Sequence, residues 1–158
     1  MRNSLTLALV LASGPAVADP TAADLALPLE MKISPENQIE NMCGSTVTAT
    51  VTPIDFGGDL GTAWLLLIPG GDDTPACYGD FPGDMYLMAA KDEGYVMIFA
   101  GGGFITVLPT DHGGVRDFAL GGPGFSFPVY GWNGKEFTAT NEISDIELAA
   151  MGDLPAYP

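Results

Sequence analysis

The stretch FSFPVYGWNGKEFTAT, Phe125–Thr140, decides the class of fold. Two runs rich in aromatic and β-branched residues, Phe125 to Trp132 and Lys135 to Thr140, surround Asn133-Gly134, a dipeptide that readily adopts the left-handed conformations of a tight hairpin turn. Pro128 has no amide proton to give a neighbouring strand, so the first run belongs at a sheet edge or beside a bulge. Working outward, short apolar runs separated by glycine-rich breaks fill most of the chain. Val115 to Leu120 carries Arg116 and Asp117 among apolar residues and reads as an edge strand. Phe104 to Leu108 follows the triplet Gly101-Gly102-Gly103. Met85 to Ala90 and Tyr95 to Phe99 flank Lys91-Asp92-Glu93-Gly94 as a second hairpin, and Leu60 to Ile68 is apolar enough to be buried on both faces. Thr46 to Thr52 alternates Val47, Ala49 and Val51 against threonines, the period of a half-buried strand.

Upstream of the strands, Ser34 followed by Pro35 and Glu36 has the form of a helix start, with Ile39 and Met42 on one face, Cys43 at the end and Gly44 as the stop. Residues 19–33 show no sustained period and read as an extended lead-in. Residues 141–158 form an acidic tail in which Ile143, Ile146, Ala149 and Ala150 are spaced for a helical turn or two. The expected fold is mainly β: a short N-terminal helix, then an antiparallel, curled meander of about eight strands, in a single domain over 34–140.

Composition agrees. The 158 residues include 21 glycines and 13 prolines with only 16% charged residues, which excludes a coiled coil or long helical bundle. Twenty acids against five bases give a formal charge of −15, so nucleic acid, which must be neutralised by Lys and Arg, is excluded as a partner. Arg2, the apolar run Leu5 to Ala12, the break at Gly14-Pro15 and the small residues Ala16-Val17-Ala18 read as a signal peptide over 1–18, cleaved before Asp19, which sends the protein to the periplasm. No apolar run is long enough for a membrane span. In an oxidising compartment Cys43 and Cys77 are expected to pair, closing a loop of roughly 35 residues worth about 3–4 kcal/mol.

Chemistry-bearing residues are sparse. His112 is the one histidine, with Asp111, Asp117 and Ser126 near it in sequence but no G-x-S-x-G frame, so its plain reading is a polar turn residue and the protein is expected not to be an enzyme. A hydrolase would require His112, Asp117 and an acid or Ser126 to converge in one cleft. Asp72, Asp73, Asp80 and Asp84 set four hard oxygen donors in a glycine-rich loop, the ligand type calcium prefers; calcium is the one cofactor the sequence offers, and a solvated acidic loop is the plainer reading. Aromatics concentrate late in the chain. Two strands cannot bury them all on one face, so Phe125, Tyr130 and Trp132, with Arg116 nearby, are the candidate recognition patch for a protein partner or a sugar. Asp55-Phe56-Gly57-Gly58 and Asp111-His112-Gly113-Gly114 each precede a strand ending in Gly-Gly, the form of a degenerate internal repeat.

The series Cys43, Asp55 with Gly58 and Asp59, Cys77, the strand Gly114 to Gly121 and the hairpin Trp132-Asn133-Gly134-Lys135-Glu136-Phe137 resembles small exported bacterial proteins of unknown function related to FG-GAP/VCBS-type repeats. The likeness runs from about Ser34 to Thr140. It departs from the repeat's calcium loop at Gly57, Leu60 and Ala63, and the resemblance implies a fold rather than an activity. The sequence thus leads to a non-enzymatic periplasmic binding or accessory domain for a protein partner, with a calcium- or carbohydrate-binding module and a hydrolase as the competing classes.

Overall fold

The computed structural model describes residues 18–158, apart from the side chains at 73 and 74. The signal-peptide reading therefore lies, except for Ala18, outside the described residues. The elements run α1 (Ala22–Ala26), a 3₁₀ turn (Leu27–Leu29), β1 (Gln38–Glu40), β2 (Thr46–Thr48), β3 (Thr50–Gly57), β4 (Gly61–Pro69), a second 3₁₀ turn (Gly71–Asp73) leading into α2 (Thr74–Cys77), then β5 (Gly83–Lys91), β6 (Gly94–Gly101), β7 (Phe104–His112), β8 (Val115–Gly121), β9 (Ser126–Trp132), β10 (Phe137–Ser144), α3 (Asp145–Ala150) and β11 (Ala156–Tyr157). The protein is mainly β, with antiparallel sheets, a short helix and one disulfide between Cys43 and Cys77.

Among the described residues there are eleven strands rather than eight, and they do not form one curled sheet. The meander divides in two at the glycine triplet. One sheet has the order β3-β4-β5-β6, the other β10-β9-β8-β7-β11, and β1-β2 is a separate ribbon. The main core lies between the two larger sheets and is centred on Phe56, Phe118 and Phe137, with Leu65, Leu87 and Ile105 around them. Strand β4 shows the arrangement most plainly. Leu65 and Leu67 face this inner core, while Leu66 and Ile68 face a second cluster on the outer side, so the strand is buried on both faces as its sequence predicts.

That outer cluster is closed by the N-terminal segment, and here the helix is displaced from its expected place. Ser34 does accept hydrogen bonds, from the Glu36 and Gln38 amides, but Asn37 takes a left-handed φ of 61° and the chain turns instead of winding. Ile39 then pairs with Val47 in the β1–β2 ribbon. The helix forms earlier, in the segment read as extended. Thr21 and Asp24 make a reciprocal capping box, and Ala22, Leu25 and Ala26 are buried against Leu66 and Met88. A five-residue helix has little stability of its own, so burial on the sheet is what holds it.

Strand β8 is also displaced from its expected place: it is central, paired with β7 on one side and β9 on the other. Pro128 sits in β9, also internal, but just beyond the point where pairing with β8 stops at Val129; it stays in register with Glu142 of β10, which carries an irregularity between Ala139 and Asn141. The chain beyond residue 140 completes β10 and folds back. Ser144 and Glu147 form a second capping box for α3, and Ala156 and Tyr157 pair with Thr106 and Ile105 of β7.

The two large sheets share one layout, four consecutive antiparallel strands each, and the motifs Asp55-Phe56-Gly57-Gly58 and Asp111-His112-Gly113-Gly114 occupy the first hairpin of each. These two turns meet. A Cβ on Gly58 would lie 2.6 Å from the Gly114 carbonyl oxygen, so the close approach requires glycine. Arg116 donates to the Asp55 carbonyl across the same junction. At the equivalent place in the motif, Phe56 of the first turn is core, whereas His112 of the second is turned outward.

Candidate functional site

The outer face of the second sheet holds a cavity of about 730 Å³. Leu108, Val129 and Ile143 form an apolar floor, and α3 contributes Glu147 and Ala150 to one wall. On β8, Phe118 faces the inner core while its neighbours Asp117 and Ala119 face outward, and Asp117 is only 3% exposed. Burying a carboxylate without a partner is costly, and its partner is His112 at the end of β7, whose Nδ1 lies 2.6 Å from Asp117 Oδ1. The His112 side chain is 48% exposed.

A carboxylate accepts, so Nδ1–H of His112 is the donor of this bond, and the His112 side chain lines the cavity. The remaining acids of the cavity are each steadied by one oxygen. Asp111 accepts from the Gly114 amide, Glu142 from the Ser126 hydroxyl, and Glu147 from the Ser144 amide and hydroxyl. No Lys or Arg lines this cavity among the described residues. With Nδ1 engaged by Asp117, Nε2 is the ring nitrogen left for a hydrogen bond with a neutral or cationic group.

Gly131 of β9 makes the geometry possible. A Cβ there would stand 2.5 Å from His112 Nδ1, overlapping the imidazole. Gly131→Ala is therefore expected to displace the ring from Asp117 while costing about 1–3 kcal/mol of stability, the range for an overpacked site. Long-range ¹H–¹⁵N spectra of the single histidine check it: the Nδ1 shift should move away from that of a hydrogen-bonded, protonated nitrogen, and an unchanged shift would contradict the contact.

The sequence-derived candidates divide. His112 and Asp117 are in contact and an acid, Glu142, lines the same cavity, with Ser126 bonded to Glu142 but outside the lining. The aromatic patch does not assemble. The ring of Tyr130 stacks on Phe118 at 5.2 Å, Trp132 packs edge-on to Phe137 at 5.3 Å, and Arg116 is engaged with Asp55, while Phe125 alone is 81% exposed. In the acidic loop, Asp72 and Asp80 are exposed and the Asp84 carboxylate accepts from the Tyr78 hydroxyl at 2.9 Å. The side chain of Asp73 lies outside the described residues, and among those described no three His, Cys, Asp or Glu side chains are placed to hold one metal ion.

Glu142, Glu147, Thr140 and Asn141 belong to the cavity and were not legible as site residues, since they come from a segment read as tail or hairpin end. A charged residue in phase with apolar neighbours on β8 was the available signal. No family model, curated protein or solved structure matches this chain. The disulfide suits an oxidising, extracellular compartment, and among the described residues no helix is long and apolar enough to cross a membrane.

Proposed function

We propose that this chain is an exported binding domain, directed to the periplasm by residues 1–18, that engages a protein partner over the outer face of its second sheet. The observation that carries this reading is the His112–Asp117 pair at 2.6 Å, which fixes the ring and leaves Nε2 for a ligand group in the cavity. Near α3, which forms one wall of the cavity, the Asp145 amide bonds the Phe125 carbonyl, bringing Phe125 beside the first turn of α3, where Ile146 is 78% exposed. Exposed large apolar side chains next to a cavity are the kind of feature a partner covers. The cavity's carboxylates favour a partner that inserts a neutral or cationic hydroxyl or amine and disfavour an anionic one.

A photo-cross-linking residue at position 125 tests this, with position 93 on the β5–β6 turn as control. In periplasmic extract, position 125 should give a discrete adduct, position 93 none, and His112→Ala should remove most of it. Equal labelling from both positions, or an adduct indifferent to His112, would overturn the proposal. Hydrolysis is the second reading, favoured by His112 and Glu142 lining the same cavity. Turnover of p-nitrophenyl acetate that disappears in His112→Gln would move the assignment there.

A further inference from the structure

We infer that a second site, for a neutral pyranose sugar, lies at one end of the sandwich around Trp132. A cavity of about 410 Å³ opens there, within the roughly 300–1,000 Å³ typical of small-molecule sites, and it shares no residue with the His112 cavity. Three separate hairpins converge on it: β3–β4 through Asp59, β5–β6 through Lys91 and Met97, and β9–β10 through Trp132, Lys135 and Glu136. Trp132 is half-buried and held by its edge-on contact with Phe137, so the indole is a fixed wall. The hairpin that carries it is braced too, since Asn133 Oδ1 accepts from the Lys135 and Glu136 amides.

Charge selects the ligand. Lys91 and Lys135 are two of the five bases of the sequence, and neither they nor Asp59 and Glu136 form an ion pair among the described residues. Two bases and two acids thus share the lining with Trp132 and with the apolar Leu60, Val96 and Met97, with no net charge among them on a chain of formal charge −15. With two charges of each sign, an ion of either sign gains no net electrostatic attraction there. An apolar peptide side chain would desolvate all four without replacing their hydrogen bonds, which is costly. A pyranose meets every condition. Its C–H face covers indole, and its hydroxyls donate to carboxylates and accept from ammoniums.

Calorimetric titration with cellotetraose, maltotetraose and mannotetraose tests the site, with tetragalacturonate as the anionic comparison. At least one neutral oligosaccharide should bind with a Kd below about 10 mM. Trp132→Ala should weaken it by about tenfold or more, the loss of one aromatic anchor. Because Trp132 also packs on Phe137, Lys135→Ala at an exposed position serves as the second variant: it should keep the wild-type melting temperature and still lower affinity. Raising salt from about 0.05 to 0.5 M should change affinity by less than about twofold, as expected where no net charge is screened. His112→Ala should leave the affinity unchanged, which separates this site from the first cavity. Silence of all three neutral sugars, tighter binding of tetragalacturonate that salt abolishes, or undiminished binding by Trp132→Ala would each overturn the inference.

Discussion

Replacing Phe118 by alanine is expected to cost about 3–5 kcal/mol, the range for truncating a fully buried aromatic side chain. Phe118 is 0% exposed and its ring lies 5.0 Å from Phe137, 5.1 Å from Phe99, 5.2 Å from Tyr130 and 6.1 Å from Phe56, so it joins aromatic residues of both sheets. Total stabilities of small domains are about 5–15 kcal/mol, so this one change removes much of the margin. Asp117, its neighbour on β8, points to the opposite face and supplies the control. Asp117→Asn keeps the volume but replaces the charged acceptor of the His112 bond, at a cost of about 1–3 kcal/mol for a buried polar site. Urea unfolding should therefore shift far more for Phe118→Ala than for Asp117→Asn, while the ¹⁵N shifts of His112 should change only in the second. A loss below about 1 kcal/mol in Phe118→Ala would mean the two sheets are not joined through this ring.

Which parts were legible follows from the range of the interactions that hold them. The apolar run of β4 and the Asn133-Gly134 turn are local patterns, and each forms the predicted strand or hairpin, with Trp132 opposite Phe137 closing the last. Thr46–Thr52, read as one strand, instead divides at Ala49 into the end of the β1–β2 ribbon and the start of β3, because its two halves pair with different partners. Helix starts were harder. Ser34-Pro35-Glu36 and Thr21-Ala22-Ala23-Asp24 both carry start signals, and only tertiary burial of Leu25 and Ala26 against the first sheet, set against the left-handed Asn37, decides between them. The charged pair on β8 misled for the same reason. Arg116 and Asp117 resemble an edge strand when read alone, but one reaches Asp55 in the other sheet and the other is covered by His112. The candidate site was half visible. His112 and Asp117 are near in sequence, but the cavity exists because β10 and α3 return beside them.

Removing the Cys43–Cys77 disulfide is expected to cost about 3–4 kcal/mol, by the chain-entropy estimate for cysteines 34 residues apart. The effect acts chiefly on the unfolded chain, because the folded loop has other attachments that survive reduction. Asn41, 5% exposed, donates to the Pro69 and Gly70 carbonyls at the end of β4 and accepts from the Cys43 and Ser45 amides. Tyr78 accepts from the Met42 amide and donates to Asp84, and burial raises its phenol above the ordinary value, so it remains a protonated donor through neutral pH. These bonds flank both cysteines and hold the folded geometry without the sulfur link. The Cys43→Ser/Cys77→Ser protein should therefore fold, unfold at lower urea with a larger denaturant slope because its unfolded state is less compact, and retain the wild-type His112 spectrum. If instead stability is lost by less than about 1 kcal/mol, cross-linking does not restrict the unfolded chain as the estimate requires. If the His112 resonances broaden on reduction, the disulfide supports the second sheet as well as the first, and the two faces of the sandwich are coupled.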